Sequence, residues 1–245
     1  MRQVRVFLDR PLRAGEEFEL NGPALHHVAT VLRMRAGEQL TIFNGQGGEF
    51  YATLMEVQRR RCILALGDYL TPQRESNLQT TLLQGIAKGE RMDFALQKAT
   101  ELGVSRVIAV ACARSQAAGE RGEKRLRHWQ GVVVSACEQS GRLRIPQVEI
   151  QDSLQSALAT CDQDRRLVMV PGGESLATGG QPPSSLALLV GPEGGLDDTE
   201  IAMAIAEGFQ PWGLGPRVLR TETAAVAALA LVQSQWGDLA MANSV

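Results

Sequence analysis

The feature that most constrains the fold of this chain lies in its last third, where two glycine turns are each followed by the start of a helix. The apolar run 186–190 stops at the turn GPEGG (191–195), and such a run before a glycine turn is typical of a strand buried on both faces. A short strand at 211–214 ends in the same way at Gly215, and a helix opens at about Thr221. We therefore predict two loops that meet at one edge of a sheet.

The turn at 191–195 combines one proline with three glycines. Pro192 fixes its own φ, whereas the glycines permit positive φ and let the backbone approach a ligand without a Cβ in the way. Neither turn has the G-x-G-x-x-G or G-x-x-x-x-G-K-[ST] fingerprint of nucleotide sites. Ordinary strand-to-helix connections explain either turn alone. Two such turns at the carboxyl ends of parallel strands predict a site for another kind of ligand.

Helix signals follow both turns. Asp197 and Glu200 have capping-box spacing, and Gly208 suits the end of the helix that they begin. The last helix, 221–236, is apolar on nearly every face. A helix of this composition must be buried, and we predict that a second copy of the chain covers part of it.

Strands and helices alternate over residues 78–239, which indicates an α/β domain with a mainly parallel sheet. Apolar runs predict further strands at 78–87, 104–112 and 166–174, the last with a glycine turn of its own. One predicted helix, 91–103, has apolar residues at helical spacing: Met92, Ala95, Leu96, Ala99 and Leu102. A longer predicted helix ends before Gly141 and carries a second such set: Leu126, Trp129, Val133 and Ala136. The segments 113–124 and 176–185 are predicted loops.

The first seventy residues contain short strands separated by turns, with a hairpin signal at 44–48. The predicted strands are 4–8, 16–20, 39–45, 48–57 and 61–67. Closely spaced strands of this kind predict a small β-barrel.

A helix is predicted over 23–34, within the strand-rich half of the chain. Four apolar residues fall on one of its faces: Leu25, Val28, Val31 and Leu32. His26 and His27 are interpreted as packing or capping residues, because nothing nearby completes a metal site or a catalytic pair. Arg33 and Arg35 either offset the helix dipole or contact nucleic acid.

The polar, proline-containing segment 71–77 separates the strand-rich half from the alternating half, and we predict domains at 1–72 and 73–245. The net charge of −2 is unevenly distributed: residues 1–72 sum to +1, residues 73–150 to +4 and residues 151–245 to −7. A basic segment is compatible with a solvated surface or with an RNA-binding face.

Composition excludes several classes of protein. No stretch reaches the roughly 18 continuous apolar residues of a membrane span, and the charged amino terminus lacks the apolar centre of a signal peptide, so we expect a cytoplasmic location. The four cysteines lie far apart and form no C-x-x-C pair, which argues against a disulfide framework or a zinc site. With three histidines, two of them adjacent, the sequence predicts no metal site.

A specific resemblance covers nearly the whole chain in order. The turns GPEGG (191–195) and LGPRVLRTETA (214–224) resemble the cofactor signature of the RsmE family of bacterial 16S ribosomal RNA uracil-N(3)-methyltransferases. The likeness continues in four further segments: KGERMDFALQKATELGV (88–104), ARSQ (113–116), EQSGR (138–142) and HHVATVLRMRAGE (26–38).

The resemblance implies an α/β domain of the SPOUT type, with a mainly parallel sheet and a trefoil knot at its carboxyl end, preceded by a small PUA-like β-barrel. It implies a homodimer that binds S-adenosylmethionine (SAM) through the knot loops and needs no metal. The implied substrate is one uridine of 16S ribosomal RNA, within the small ribosomal subunit. Another RNA or base position, or RNA binding without catalysis, is the alternative function.

The resemblance also implies a set of site residues. The expected SAM-binding residues come from both turns: Leu189, Val190, Gly191, Pro192, Glu193, Gly194, Gly195, Leu214, Gly215, Arg217, Val218, Leu219, Arg220, Thr221, Thr223 and Ala224. The candidate RNA-binding residues are basic and come from both domains: Arg10, Arg33, Lys88, Arg91, Arg114 and Arg142.

Methylation at N3 of uracil requires loss of the N3 proton, so a general base or a supporting cation is expected. We interpret Glu222 as the proton acceptor or as a residue that orients the cofactor, and Arg220 as the cation that supports charge near the base. The alternative is a helix-start interaction between these two residues, because a glutamate in the first turn of a helix is favourable without any function.

Overall fold

The structure is a computed structural model that describes residues 4–115, 122–176 and 181–239. The chain divides into two compact units. The first contains Met1–Glu75 together with Cys137–Ile145, and the second contains Ser76–Ala136 and Pro146–Val245. The attachment of residues 137–145 to the first unit has no signal in the sequence. The assignment of RNA-binding and methyltransferase roles to 1–72 and 73–245 stays a prediction.

The first unit is built on a five-stranded sheet. Its strands are β1 (Arg5–Phe7), β2 (Glu17–Glu19), β3 (Gln39–Phe43), β4 (Glu49–Gln58) and β5 (Arg61–Leu70). Their order is β1-β3-β4-β5-β2, with β1 parallel to β3 and the other pairs antiparallel. All five strands and the hairpin between β3 and β4 agree with the predictions. Alternate residues of the strands point into one apolar core, including Val6, Ile42, Leu54 and Leu64.

The helix predicted over 23–34 is only partly correct. Helix α1 spans Gly22–His26, and a π-helical turn, His27–Val31, replaces its second half. A π turn has more residues per turn than an α-helix, so residues expected on one face at α-helical spacing diverge. Val28 is fully buried, whereas Val31 and Leu32 are 58% and 37% exposed. Arg33, two residues after the π-helical turn, has φ of 53°.

Residues 137–145 are tied to the first unit by buried charges. The Arg5 guanidinium donates to the Glu49 carboxylate at 2.9 Å and to the backbone oxygens of Cys137 and Arg142 at 3.0 Å each. Arg142 is 6% exposed and forms an ion pair with Glu75 at 2.7 Å. The expectation that Arg142 contacts RNA stays a prediction, and a phosphate contact there would require this buried ion pair to break.

The second unit is an α/β structure with one parallel sheet. Its strands are β6 (Gln79–Gly85), β7 (Arg106–Val110), β8 (Gln147–Gln151), β9 (Arg165–Met169), β10 (Ser185–Val190) and β11 (Gln210–Trp212). Their order is β11-β9-β10-β6-β7-β8, and every neighbouring pair is parallel. The helices are α2 (Glu90–Glu101), α3 (Gly122–Ser140), α4 (Leu154–Leu158), α5 (Asp198–Ala206) and α6 (Thr221–Trp236).

Most elements of the second unit follow the sequence pattern. In α2 the buried residues include four of the five predicted ones, Met92, Ala95, Leu96 and Ala99. The capping box of Asp197 and Glu200 is present at the start of α5. The predicted loops 113–124 and 176–185 fall partly on residues 116–121 and 177–180, which lie outside the described residues. β8 and α4 were not predicted.

Candidate active site

A cavity of about 330 Å³ lies at the carboxyl edge of the parallel sheet. Its volume is in the range of small-molecule sites. Three loops form its walls, after β9, β10 and β11, and Arg114 and Ile201 complete it. The lining residues from these loops and from the adjoining ends of β9, β10 and α6 are Met169, Val170, Pro171, Val190, Gly191, Pro192, Glu193, Gly194, Gly195, Leu196, Leu214, Gly215, Arg217, Val218, Leu219, Thr221 and Ala224.

The strand order explains why these loops meet. β9 lies between β10 and β11 and runs parallel to both, with Val168 opposite Leu189 and Met169 opposite Trp212. Parallel neighbours end at the same edge of a sheet, which is where open α/β folds bind ligands. The predicted meeting of two loops at this edge is therefore confirmed, and a third loop joins them.

The glycines of the turn at 191–195 serve different purposes. Gly195 has φ of 71°, and a Cβ there would meet no atom within 4 Å, so its backbone conformation is what requires glycine. Gly191 and Gly194 lack positive φ. A Cβ on Gly191 would lie 2.8 Å from the Leu196 nitrogen, and one on Gly194 would lie 2.9 Å from the Arg114 Cβ. These two glycines therefore allow close packing.

Two contacts hold the first turn against its neighbours. The Thr221 hydroxyl, at the start of α6, donates to the Gly191 oxygen at 2.6 Å. Arg114, in the loop after β7, donates to the Gly194 oxygen at 2.8 Å. That loop is itself fixed, because the Ala113 N–H donates to the buried Glu200 carboxylate at 2.8 Å. The capping-box glutamate of α5 thus also positions Arg114 beside the cavity.

The Glu193 carboxylate forms hydrogen bonds with residues at and just before the start of α2. Its carboxylate accepts from the Lys88 N–H at 2.8 Å and from the Arg91 guanidinium at 3.1 Å. Partial burial raises the pKa of Glu193, but the hydrogen bonds from Lys88 and Arg91 outweigh it, and the pKa lies below its ordinary value of 4.5. Glu193 lines the cavity, and its carboxylate also links the turn to α2.

Thirteen of the sixteen residues expected to bind SAM line the cavity. The exceptions are Leu189, Arg220 and Thr223. Leu189 is fully buried in the core beneath the sheet edge. Thr223 is exposed on α6, because Thr221 and Ala224, three residues apart, share the face toward the cavity. Arg220 is exposed at the N-cap of α6, and Arg217 is the arginine of this loop that reaches the cavity.

The sequence reasoning missed the wall formed by Met169, Val170 and Pro171. Its signal was present, because the strand and glycine turn at 166–174 were predicted. That β9 lies beside β10 depends on strand order, which the local pattern does not encode. Arg114, expected to contact RNA, also lies in the cavity wall.

Glu222, in the first turn of α6, has an unusual environment. Its Oε2 atom is buried and has no hydrogen-bond partner among the described residues. A buried carboxylate oxygen without a donor is costly, so this position favours a ligand or water that supplies one. No ion pair or hydrogen bond joins Glu222 to Arg220 within residues 181–239, but Glu222 lies in the first turn of α6, where the helix dipole favours a carboxylate without any function.

The other RNA-binding candidates are exposed. In the first unit, Arg10 forms an ion pair with Glu16 and lies over the Phe18 ring at 4.4 Å, and Arg33 follows the π-helical turn. In the second unit, Lys88, Arg91 and Arg114 surround the turn at 191–195. The basic side chains beside the cavity thus come from loops and helix starts that contact this turn.

Metal ions, reactive thiols and membrane spans each require a particular arrangement of residues. No group of three or more His, Cys, Asp and Glu residues there is suited to hold a metal ion. The four cysteines are free and buried, and burial raises the pKa of Cys112 and Cys137 to about 12. In the ranges described, no helix has both the length and the apolar character of a membrane span.

Two known protein families match the two parts of this chain. The family described as RNA methyltransferase domain matches residues 74–233, and the family described as RNA methyltransferase PUA domain matches residues 20–66. With a parallel sheet and a cavity at its carboxyl edge, these matches define the class as RNA methyltransferases with a PUA domain and a SPOUT-type α/β domain.

Individual relatives agree over nearly the full length. The ribosomal RNA small subunit methyltransferase E of Buchnera aphidicola (Schizaphis graminum) is 31% identical, over 96% of this chain and 97% of its own. The enzyme of the same name from Neisseria gonorrhoeae, solved with SAM bound, is 36% identical with a TM-score of 0.89, over 97% of this chain and 99% of its own. A methyltransferase structure from Legionella pneumophila with bound SAM is 37% identical with a TM-score of 0.93, over 98% and 100%. This chain belongs to the ribosomal RNA small subunit methyltransferase E (RsmE) family.

Proposed function

We propose that this protein transfers the methyl group of SAM to N3 of one uridine in 16S ribosomal RNA, in the cytoplasm and on the small ribosomal subunit. The observation that supports it most is the cavity at 190–196 and 214–224, which is lined by the signature turns. Two relatives that match nearly the whole chain were solved with SAM bound. The base position follows the resemblance to uracil-N(3)-methyltransferases.

The cavity residues fit SAM. Apolar side chains such as Leu196, Leu214 and Leu219 suit an adenine ring, and the glycine turns offer backbone N–H and C=O groups without a Cβ in the way. Arg217 supplies a cation for the carboxylate of SAM. Glu222 is not in the lining but follows the lining residue Thr221, and its unpartnered oxygen suits an ammonium group or a hydroxyl.

When bound, SAM supplies a methyl group that its sulfonium charge already activates. The protein's own tasks are then to hold the base in line and to promote loss of the N3 proton. Glu222 is our candidate for accepting that proton or for orienting SAM. Arg220, exposed at the start of α6, is our candidate for supporting the charge left on the base.

The RNA side of the proposal rests on the cations around the turn. Lys88, Arg91 and Arg114 lie within hydrogen-bond networks that reach Glu193 and Gly194, so phosphate groups bound there would be close to the cavity. Arg10 and Arg33 are the candidates in the first unit. The family resemblance further supports a homodimer and a carboxyl-terminal trefoil knot, which remain part of the proposal, as does the absence of a catalytic metal.

The test is methylation of small ribosomal subunits from a strain that lacks the corresponding enzyme, with methyl-labelled SAM and mass mapping of the labelled nucleoside. We expect label at N3 of a single uridine. Protein-free 16S RNA, assayed in parallel, distinguishes naked RNA from the assembled subunit as substrate. Label at another base atom would overturn the uridine assignment, and RNA binding without label would indicate a binding module.

A further inference from the structure

Gln84, the penultimate residue of β6, joins the two sides of the cavity without belonging to its lining. The side chain is fully buried. Its Nε2 donates to the Thr221 hydroxyl at 2.8 Å and to the Gly85 oxygen at 3.1 Å, with the Gly191 oxygen at the 3.5 Å limit. The end of β6, the first residue of α6 and the glycine turn at 191–195 therefore meet at one amide group.

Hydrogen-bond chemistry fixes the direction of this connection. The Thr221 hydroxyl gives its single proton to the Gly191 oxygen and so must accept from Gln84. Rotating the amide by 180° would set its oxygen against the carbonyl oxygens of Gly85 and Gly191, so the amide orientation is determined by its neighbours. Gln84 and Thr221 form one chain of donors that ends on Gly191.

The neighbouring glycine allows the glycine turn to sit close to Gln84. A Cβ on Gly85 would lie 2.8 Å from the Gly191 carbonyl carbon and would also clash with the Pro192 nitrogen. No side chain can be placed there without moving the turn backbone. Gln84 and Gly85 therefore pack directly against the backbone of Gly191 and Pro192.

We propose that Gln84 is a positioning residue for SAM binding, acting through Thr221 and Gly191. It fixes the position of the start of α6 relative to the turn at 191–195. These two parts of the cavity wall are therefore in place before a ligand binds. This inference rests on the proposed function, because it assigns Gln84 to the same cavity. Preorganisation of this kind improves affinity by reducing the ordering that binding requires.

The test replaces Gln84 by Met, which keeps the volume and removes the donor. We expect SAM affinity, measured by calorimetry, to fall about tenfold, as for loss of one or two structural hydrogen bonds. RNA affinity should be unchanged, and the single-turnover rate at saturating SAM should return to within about threefold of wild type, since the reacting groups are intact. Thr221→Val should weaken SAM binding similarly, and the double variant should be little worse than either single one.

A matched control is available in Gln233, a second fully buried glutamine of the same unit. Its Oε1 accepts from Ser76 at 2.7 Å, and its Nε2, like the Gln84 Oε1, has no partner among the described residues. Gln233→Met should alter thermal stability but not SAM affinity. Equal losses of SAM affinity in both variants would reveal a general packing effect and overturn the inference.

The two proposals fail in different ways. If the wild-type protein does not bind SAM, the proposed function fails and the positioning role fails with it. If the wild type binds SAM and Gln84→Met binds equally well, only the positioning role is overturned. Should Gln84→Met not fold, Gln84→Leu, which also removes the donor, takes its place: unchanged SAM affinity would overturn the positioning role, and a loss confined to SAM affinity would support it. Unchanged SAM affinity in Thr221→Val would also overturn the role, whereas a loss there does not support it alone, because Thr221 itself lines the cavity.

Discussion

At the residue scale, the three glycines of the turn at 191–195 are required for two different reasons, backbone conformation and close packing. Gly195 is needed for its positive φ, and Gly191 and Gly194 for the space that a Cβ would fill. A sequence pattern of glycines therefore predicts a close backbone approach, but only the structure assigns a reason to each position.

Replacing Gly195 by Val should abolish SAM binding. A β-branched residue at φ of 71° costs about 1 to 3 kcal/mol in backbone strain, which the turn relieves by changing shape. Calorimetry with SAM measures the effect. Gly37→Val is the control, because Gly37 has φ of 86°, equally open surroundings and a place in the first unit. Both variants should lose stability, and unchanged SAM affinity in folded Gly195→Val would remove this turn from the site.

Glu222→Gln separates the two roles proposed for this residue. If Glu222 is the general base, SAM affinity should stay within a few fold while single-turnover methylation slows at least about a hundredfold. The deficit should shrink as pH rises, because the uridine then loses its proton without help. A normal rate would eliminate the base role, whereas lost SAM affinity would reassign Glu222 to cofactor binding. Glu207→Gln, at the exposed end of α5, is the control.

At the element scale, the glycine turn and α2 are linked by one carboxylate. Glu193 accepts from Lys88, just before α2, and from Arg91 in its first turn, where the helix dipole also favours a negative charge. In the sequence, KGER and GPEGG are two separate motifs. In the structure the Glu193 carboxylate joins them.

The Glu193 link should depend on pH. Because its folded pKa lies below the ordinary value of 4.5, the carboxylate contributes stability above that value and loses it as pH falls through the lowered pKa. Glu193→Gln should therefore lower the urea midpoint at pH 7, with the difference from wild type vanishing in acid below the lowered pKa. A difference that stays constant down to that acid range would contradict the assignment.

Local elements differ in how far the sequence determines them. The capping box at Asp197 and Glu200 and the apolar run of β10 are encoded within a few residues, and both were predicted. β8 has one buried residue in five and lies at a sheet edge, so its pattern resembles a loop. The π-helical turn at 27–31 places Val28 in the core of the first unit, and the apolar spacing of this segment predicted an α-helix instead.

At the scale of the whole molecule, the class of fold could be predicted from the sequence, whereas the strand order could not. The alternation of strands and helices predicts a parallel sheet, but only the order β11-β9-β10 brings Met169 to Pro171 beside the glycine turn. The burial of Arg142 could not be predicted for a related reason, since its partner Glu75 lies 67 residues away in the chain. Long-range contacts of this kind have no local signature.

The protein should be a homodimer that survives dilution to micromolar concentration in light scattering. Val218 and Leu231 are 83% and 50% exposed beside and on α6, and stable dimers bury apolar surface of this kind. Leu231→Arg should shift the protein toward monomer, whereas Met55→Arg, at a residue 53% exposed in β4, should not. A wild-type monomer at micromolar concentration would contradict the dimer.

RNA binding should weaken with salt, and each lost phosphate contact should lower the slope of log K against log salt by roughly 0.7 to 0.9. Alanine variants of the exposed candidates, Arg10, Arg33, Lys88, Arg91 and Arg114, test this. Arg142→Ala is the contrast, since loss of its buried ion pair should reduce stability without changing the slope. If all five exposed variants keep the wild-type slope and affinity, the RNA surface lies elsewhere.

The membership of residues 137–145 in the first unit has a consequence for biosynthesis. Arg5 and Glu49 are buried with side-chain exposures of 8% and 5%, and two of the acceptors for Arg5 arrive only with Cys137 and Arg142. While a ribosome is still making the chain, residues 1–75 therefore hold a cation that lacks two of its three hydrogen-bond acceptors. The amino-terminal unit cannot complete its folding as it emerges, and must wait until about twice its own length has been translated.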